Sequence, residues 1–375
     1  MKVLYVVDSL GVGGAEKSLL ELLPRVATQP VLLRLSEPSA MDAAFKSAGV
    51  KVIDGALPVR ASLWRAAQLI QRTVRIERPA LVHSTLFRSD IAARLASTSV
   101  PLVSSLVNDC YSKIRYQALD DLGRLKLLSV QAIDAATATM SNCYISNSMA
   151  STAANSASLN IPLSRIRTIY RGRDLSRFRP RQDDEQSALK LSAGLAGRFV
   201  VLNVARMLPR KGHADLLNAF AVLYRERPSA SLVLVGDGPE RLRLEALAAT
   251  LGVARDVHFL GLRDDVDVLL RAADVFAFPS HFEGFPGAVI EAMASGLPTV
   301  ASDIDAHVEA IRHGDNGLIF AVGSSTSLGA ALCRLSVSVS MRETFGAAAR
   351  RTACAMFDIG HSAKRYRDLY DELAT

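Results

Sequence analysis

The chain has 375 residues, 49% of them hydrophobic and 22% charged, with a formal net charge of +7. It is apolar enough to fill two cores, which excludes a disordered chain, and no apolar run approaches the ~20 residues of a membrane span. Cys110, Cys143, Cys333 and Cys354 lie far apart without a C-x-x-C pair, so neither a disulfide framework nor a zinc site is expected.

Residues 2–7 read as a buried strand that stops at Asp8, too short for an export signal, and a cytoplasmic chain with reduced thiols is expected. A helix over 15–23, a strand over 31–35, a helix over 63–76 and strands over 80–83, 101–105 and 143–146 follow. A second series has strands over 199–204, 231–235, 257–260, 274–278, 299–301 and 317–320, separated by helical stretches. Continuous apolar strands alternating with helices indicate α/β units with parallel sheets covered on both faces. The polar stretch 179–187 lacks periodicity and reads as the linker. The expected units are therefore 1–180 and 190–357, followed by a last helix within 358–375, strongest over 362–373.

The charge is uneven. Residues 1–180 carry 23 Lys and Arg against 13 Asp and Glu, whereas 181–375 carry 21 against 24. A basic first unit suits a phosphorylated acceptor or a lipid carrier at a membrane surface. Nucleic acid is not expected, because there is no binding module and little aromatic content to stack bases.

In doubly wound sheets ligands bind beyond the carboxyl ends of the strands. After the first strand comes a loop with Gly11, Gly13, Gly14 and Glu16, where glycines admit a ligand and a helix start attracts an anion. It fits neither the dinucleotide fingerprint nor the P-loop, since both require glycine where Glu16 stands. Arg206 and Lys211 follow the first strand of the second series and are placed for a diphosphate. The richest stretch runs from Phe278 to Pro298. Glu283 lies in a loop, Pro286 can open a helix, Gly287 and Ala288 offer backbone N–H groups, and Glu291 lies one or two turns into that helix. Carboxylates accept hydrogen bonds from sugar hydroxyls, while the helix start accepts phosphate.

These motifs resemble the fourth family of retaining glycosyltransferases, marked by E-x7-E, here Glu283 and Glu291. The Gly13-Gly14-x-Glu16 loop, Arg206 with Lys211, the run from Val235 through Gly236 to Pro239, and the stretch from Asp315 to Phe320 extend the likeness, densely in the second half. The resemblance implies the GT-B architecture, two Rossmann-like doubly wound domains facing across a cleft, with the last helix crossing back to the first. It implies a nucleotide-diphosphate sugar as donor, uridine being the expected base, and a hydroxyl acceptor attacked from the front face without metal or other cofactor. Glu291 would bind the ribose, Glu283 the sugar, and Arg206 with Lys211 the diphosphate. Gly236, Gly284, Phe285, Gly287 and Ala288 would line the donor, and Gly13, Gly14 and Glu16 would close over it. The chain departs from the family at Asn108, where many members have histidine; His83 is then the candidate acid or base of the first unit. A cleft-edge role is open for the cluster Arg165, Arg167, Arg171, Arg173, Arg177 and Arg179, whereas His307, Glu309 and His313 are spaced too irregularly to share a metal. A non-catalytic nucleotide-sugar-binding protein and a GT-B epimerase are the alternatives. An acceptor that is anionic or lipid-linked, reached by peripheral association with the inner face of the membrane, is the expected partner.

Overall fold

A computed structural model describes every residue except Val12, Thr28, Ala118 and Thr375, together with all side chains but those of these four, Lys113 and Ile114. The chain forms two compact units: Met1–Gly172 with Ile359–Thr375, and Arg173–Asp358.

The first unit is built on strands β1 (Lys2–Val7), β2 (Gln29–Ser36), β3 (Lys51–Leu57), β4 (Leu81–Thr85), β5 (Leu102–Leu106), β6 (Cys143–Ser146) and β7 (Ile166–Thr168). They form one parallel sheet in the order β3-β2-β1-β4-β5-β6-β7. Beyond Lys2, β1 is apolar and buried because each face is covered. Val3, Tyr5 and Val7 pack with Leu23 and with Ala363, Leu369 and Tyr370 of the terminal helix, while Leu4 and Val6 pack with Ala66, Ile70 and Ala92.

The second unit has β8 (Phe199–Val204), β9 (Ala230–Val235), β10 (Val257–Gly261), β11 (Val275–Phe278), β12 (Thr299–Ser302) and β13 (Gly317–Phe320) in the parallel order β10-β9-β8-β11-β12-β13. In each sheet the chain builds outward to one side and then returns to build on the other. The reversal falls between β1 and β4 in the first sheet and between β8 and β11 in the second, and ligands enter at such switch points.

The division of the chain differs from the expected one. Residues 179–187 belong wholly to the second unit rather than to a linker. Arg179 holds the Glu185 carboxylate through both terminal nitrogens at 3.0 and 2.9 Å, Gln186 Nε2 donates to Ala273 O at 2.8 Å, and Lys190 pairs with Asp274 at 2.6 Å. Residues 181–184 and 187 are exposed, but Arg179, Glu185 and Gln186 have fixed partners that hold the segment on the second unit. The first change of unit falls earlier, at Gly172/Arg173; the second is at Asp358/Ile359, and the helix Ile359–Ala374 is a piece of the first unit's core.

Candidate functional site

At the second switch point the loops after β8 and β11 are locked together. Gly212 has φ +69°, and a Cβ there would overlap the Pro279 carbonyl, so glycine is required by both conformation and approach. His281 N–H donates to Arg210 O at 2.8 Å. This clamp brings Lys211 Nζ onto Glu283 Oε1 as an ion pair, with Arg210 Nη1 3.5 Å from the same oxygen and the Phe278 ring 5.2 Å beneath the ammonium. Burial would raise the Glu283 pKa, but the charges of Lys211 and Arg210 outweigh it and hold the carboxyl below its ordinary value, ionised. The two residues expected to meet diphosphate and sugar are thus each other's counter-ions. Arg206, on the same loop, is exposed and has no ion-pair partner among the described residues.

Glu291 lies on the helix Gly287–Ala294, which opens at Pro286. Its Oε1 accepts from Arg173 Nε at 2.6 Å, with side chains 17% and 4% exposed. The guanidinium passes so close under the helix start that a Cβ on Gly287 would collide with it. The first-turn N–H groups of Gly287, Ala288 and Val289 have no intrahelical acceptor, and with Arg173 they make this corner attractive to an anion. Gly236 follows β9, its backbone against the Ala205 carbonyl of the β8 loop. Gly284 is buried, and the buried Phe285 ring packs tilted against Phe357, with centroids 5.3 Å apart, so this phenylalanine serves the core.

Sequence reasoning did not single out Arg210, or Arg173 by itself. Nor did it weigh His213, and it considered His307 only as a metal ligand; both are buried. His213, 2% exposed, caps the β8 loop with both ring nitrogens lacking a hydrogen-bond partner; burial, then the charge of Lys211, lowers its pKa to about 4. His307 lies 5.5 Å from the Phe278 ring, donates through Nδ1 to Ser302 O at 2.9 Å, and is lowered to about 4 chiefly by burial. His313 instead bonds Ile319 O at 3.0 Å, and among the described residues no three His, Cys, Asp or Glu side chains gather where they could hold a metal. Of the cluster's three arginines in the second unit, Arg173 reaches this site. Arg177 pairs with Asp267 at 3.2 Å and Arg179 with Glu185.

In the first unit, Gly13 caps the helix Gly14–Val26 and the Glu16 carboxylate folds back against Gly13. A negative charge already sits at the helix start. His83 lies on β4 beside a cavity of about 80 Å³ that Val7, Leu19, Thr85, Ser105 and Tyr366 also line. Its Nδ1 is 2.5 Å from Tyr370 Oη and its Nε2 2.7 Å from Ser105 Oγ, and burial lowers its pKa to about 3. Both nitrogens are engaged by hydroxyls, which ties β4 to β5 and to the terminal helix. Asn108 is exposed just past β5, and its carbonyl accepts from Asn155 Nδ2 at 3.1 Å.

Residues 190–352 match the family described as glycosyl transferases group 1. EpsF of Bacillus subtilis is 29% identical over 80% of the chain and 79% of its own length. The D-inositol 3-phosphate glycosyltransferase of Salinispora arenicola is 35% identical over 51% of the chain and 46% of its own. The chain spans about half the length of most curated relatives it matches. The crystal structure of HepE of Anabaena in complex with UDP and glucose aligns over 100% of both chains, with a TM-score of 0.87 at 24% identity, a likeness of fold. With two parallel-sheet units of this topology, and with Arg206, Lys211, Glu283 and Glu291 gathered at adjacent strand ends, residues 190–352 form a group 1 glycosyltransferase domain within a chain of the GT-B fold.

Proposed function

We propose that the chain is a retaining glycosyltransferase that moves a sugar from a uridine-diphosphate sugar to a hydroxyl acceptor without a divalent metal. The observation that carries this reading is the Lys211–Glu283 pair at the β8/β11 switch point, beside the free-ended helix Gly287–Ala294. HepE, similar in fold, is described in complex with UDP and with UDP-glucose. The diphosphate would take Lys211 from Glu283 and rest against Arg206 and the N–H groups of Gly287 and Ala288. Glu283, freed of its ammonium, would accept a hydroxyl of the sugar. Arg173 holds one oxygen of Glu291, and the other would accept from the ribose. As the bond from the anomeric carbon to the diphosphate breaks, negative charge grows where these cations point. The acceptor oxygen bonds to that carbon from the same face, and its proton passes to the departing phosphate oxygen. His83 and Asn108 need not carry a proton in this scheme.

The acceptor would be anionic or lipid-linked and met at the cytoplasmic surface of a membrane. Two helices on one face of the first sheet support this. Leu63–Glu77 exposes Trp64 and Ile76 among Arg65, Arg72 and Arg75, none of which has an ion pair among the described residues, and Asp121–Thr137 exposes Leu122, Leu125, Leu128 and Ile133. Between them packs Phe87–Ala96. No described helix is long and apolar enough to cross a membrane.

Incubating the protein with uridine, guanosine, adenosine and thymidine diphosphate sugars and a panel of acceptors, and following the anomeric configuration by NMR, tests the reading. Turnover of the uridine donor with retention, unchanged in chelator, is expected. Inversion, or activity that needs added manganese or magnesium, would sink the corresponding part, and donor binding without turnover on every acceptor would leave a nucleotide-sugar-binding protein.

A further inference from the structure

The donor loops leave the carboxyl ends of the second sheet's strands. At the amino ends of the same strands lies another crevice, of about 430 Å³, lined by Lys190, Arg198, Arg227, Arg342, Phe199 and Asp274 among others. Its acid is already engaged, because Asp274 Oδ2 accepts from Lys190 Nζ at 2.6 Å and from Val200 N–H at 2.7 Å, while Oδ1 accepts from Gln186 at 3.1 Å. Arg198 pairs with Asp256. Among the described residues, Arg227 and Arg342 have no carboxylate within ion-pair distance. Arg227 donates to Ser336 O at 2.5 Å, and Arg342 donates to that same oxygen at 3.2 Å and to Leu335 O at 2.6 Å. Both guanidiniums lie over the Phe199 ring, at 4.8 and 5.4 Å from its centroid.

Two like charges that share one acceptor stand within about 6 Å of each other, a costly arrangement without an anion between them. Burial pulls the Arg342 pKa down, and the charges of Arg227 and Arg181 add to this against the pull of Asp274. Each guanidinium spends one nitrogen on carbonyls and retains others in a planar fork suited to phosphate oxygens, and the Phe199 ring shields the corner from water. We propose that this crevice binds a phosphate dianion, free or as a phosphomonoester, at a site separate from the donor loops.

Thermal unfolding and deuterium exchange with inorganic phosphate, at ionic strength matched with chloride, test the site. At phosphate tenfold above its Kd, Tm should rise by about 3–5 °C, and exchange should slow over residues 186–199 and 335–342. Arg227→Gln and Arg342→Gln should each weaken phosphate at least about tenfold, whereas Lys211→Ala should leave it unchanged. If the arginine variants fail to fold, the exchange footprint of the wild-type chain decides. Glycerol phosphate binding more tightly than inorganic phosphate would identify an ester as ligand, and equal affinity the free ion. A Tm no higher than in chloride, or protection confined to residues 205–213 and 286–291, would overturn the proposal.

Discussion

Lys211 and Glu283 stand 72 residues apart in the chain and form one nearly buried ion pair, with side chains 12% and 9% exposed. A donor that uses both residues must part them, so the pair sets the energy of the site before and after binding.

Lys211→Ala is expected to lower kcat on the order of 10²-fold, about 3 kcal/mol of barrier, if the lysine binds the growing diphosphate charge. It should also destabilise the fold by about 3 kcal/mol, because Glu283 is left buried without its main counter-ion. Adding Glu283→Gln should restore the melting temperature and not the turnover. A single variant that is fully stable, or that changes KM alone in an assay limited by chemistry, would assign Lys211 a simpler role.

Glu291 and Arg173 should act as a unit. Glu291→Gln and Arg173→Gln are each expected to raise the donor KM several-fold with a smaller effect on kcat, since ribose contacts are equal in ground and transition states. Gly287→Ala should do the same at a distance, by displacing the guanidinium that its Cβ would strike. The 2′-deoxy nucleotide should bind wild-type protein about 1 kcal/mol more weakly. Equal affinity for ribose and deoxyribose forms would remove Glu291 from that role.

His213 and His307, both held near pKa 4 against an ordinary 6.5, make the second unit acid-sensitive. Below about 6.5 the unfolded chain takes up protons that the folded chain refuses, so stability is full above that pH and is lost as pH falls toward 4. Each histidine should cost about 2 kcal/mol by pH 5. Denaturant midpoints measured between pH 7.5 and 5 should fall less steeply in His213→Asn than in wild type, and parallel slopes would refute the assignment.

Sedimentation with vesicles containing anionic lipid should retain the wild-type chain and release it in high salt. Leu125→Asp with Leu128→Asp, and separately Arg72→Glu with Arg75→Glu, should each weaken retention at least about tenfold. Binding that ignores lipid charge and both substitutions would remove these helices from membrane contact.

Motifs whose members are close in sequence were legible before the fold. Glu283, Glu291 and the helix between them are a local pattern, and Lys211 follows its strand by a few residues. Arg173 was one arginine among six, because its partner lies 118 residues away and no local rule selects it. The stretch 179–187 misled for a related reason, since a charged segment held by distant partners has the composition of a solvated one. His83 was visible as a strand-end histidine, but its two hydroxyl partners come from β5 and from the terminal helix, so its commitment appears only when the sheet is assembled.

The terminal helix has a consequence for biosynthesis. Ala363, Leu369 and Tyr370 help fill the core beneath β1, and Tyr370 bonds the histidine of β4. A nascent chain that has emerged only as far as Asp358 holds every residue of the second unit, but lacks the piece that covers one face of the first. The unit translated first is therefore completed only after the second has been made, and until Ile359–Ala374 emerges the sheet face it packs on is the surface a chaperone would have to shield.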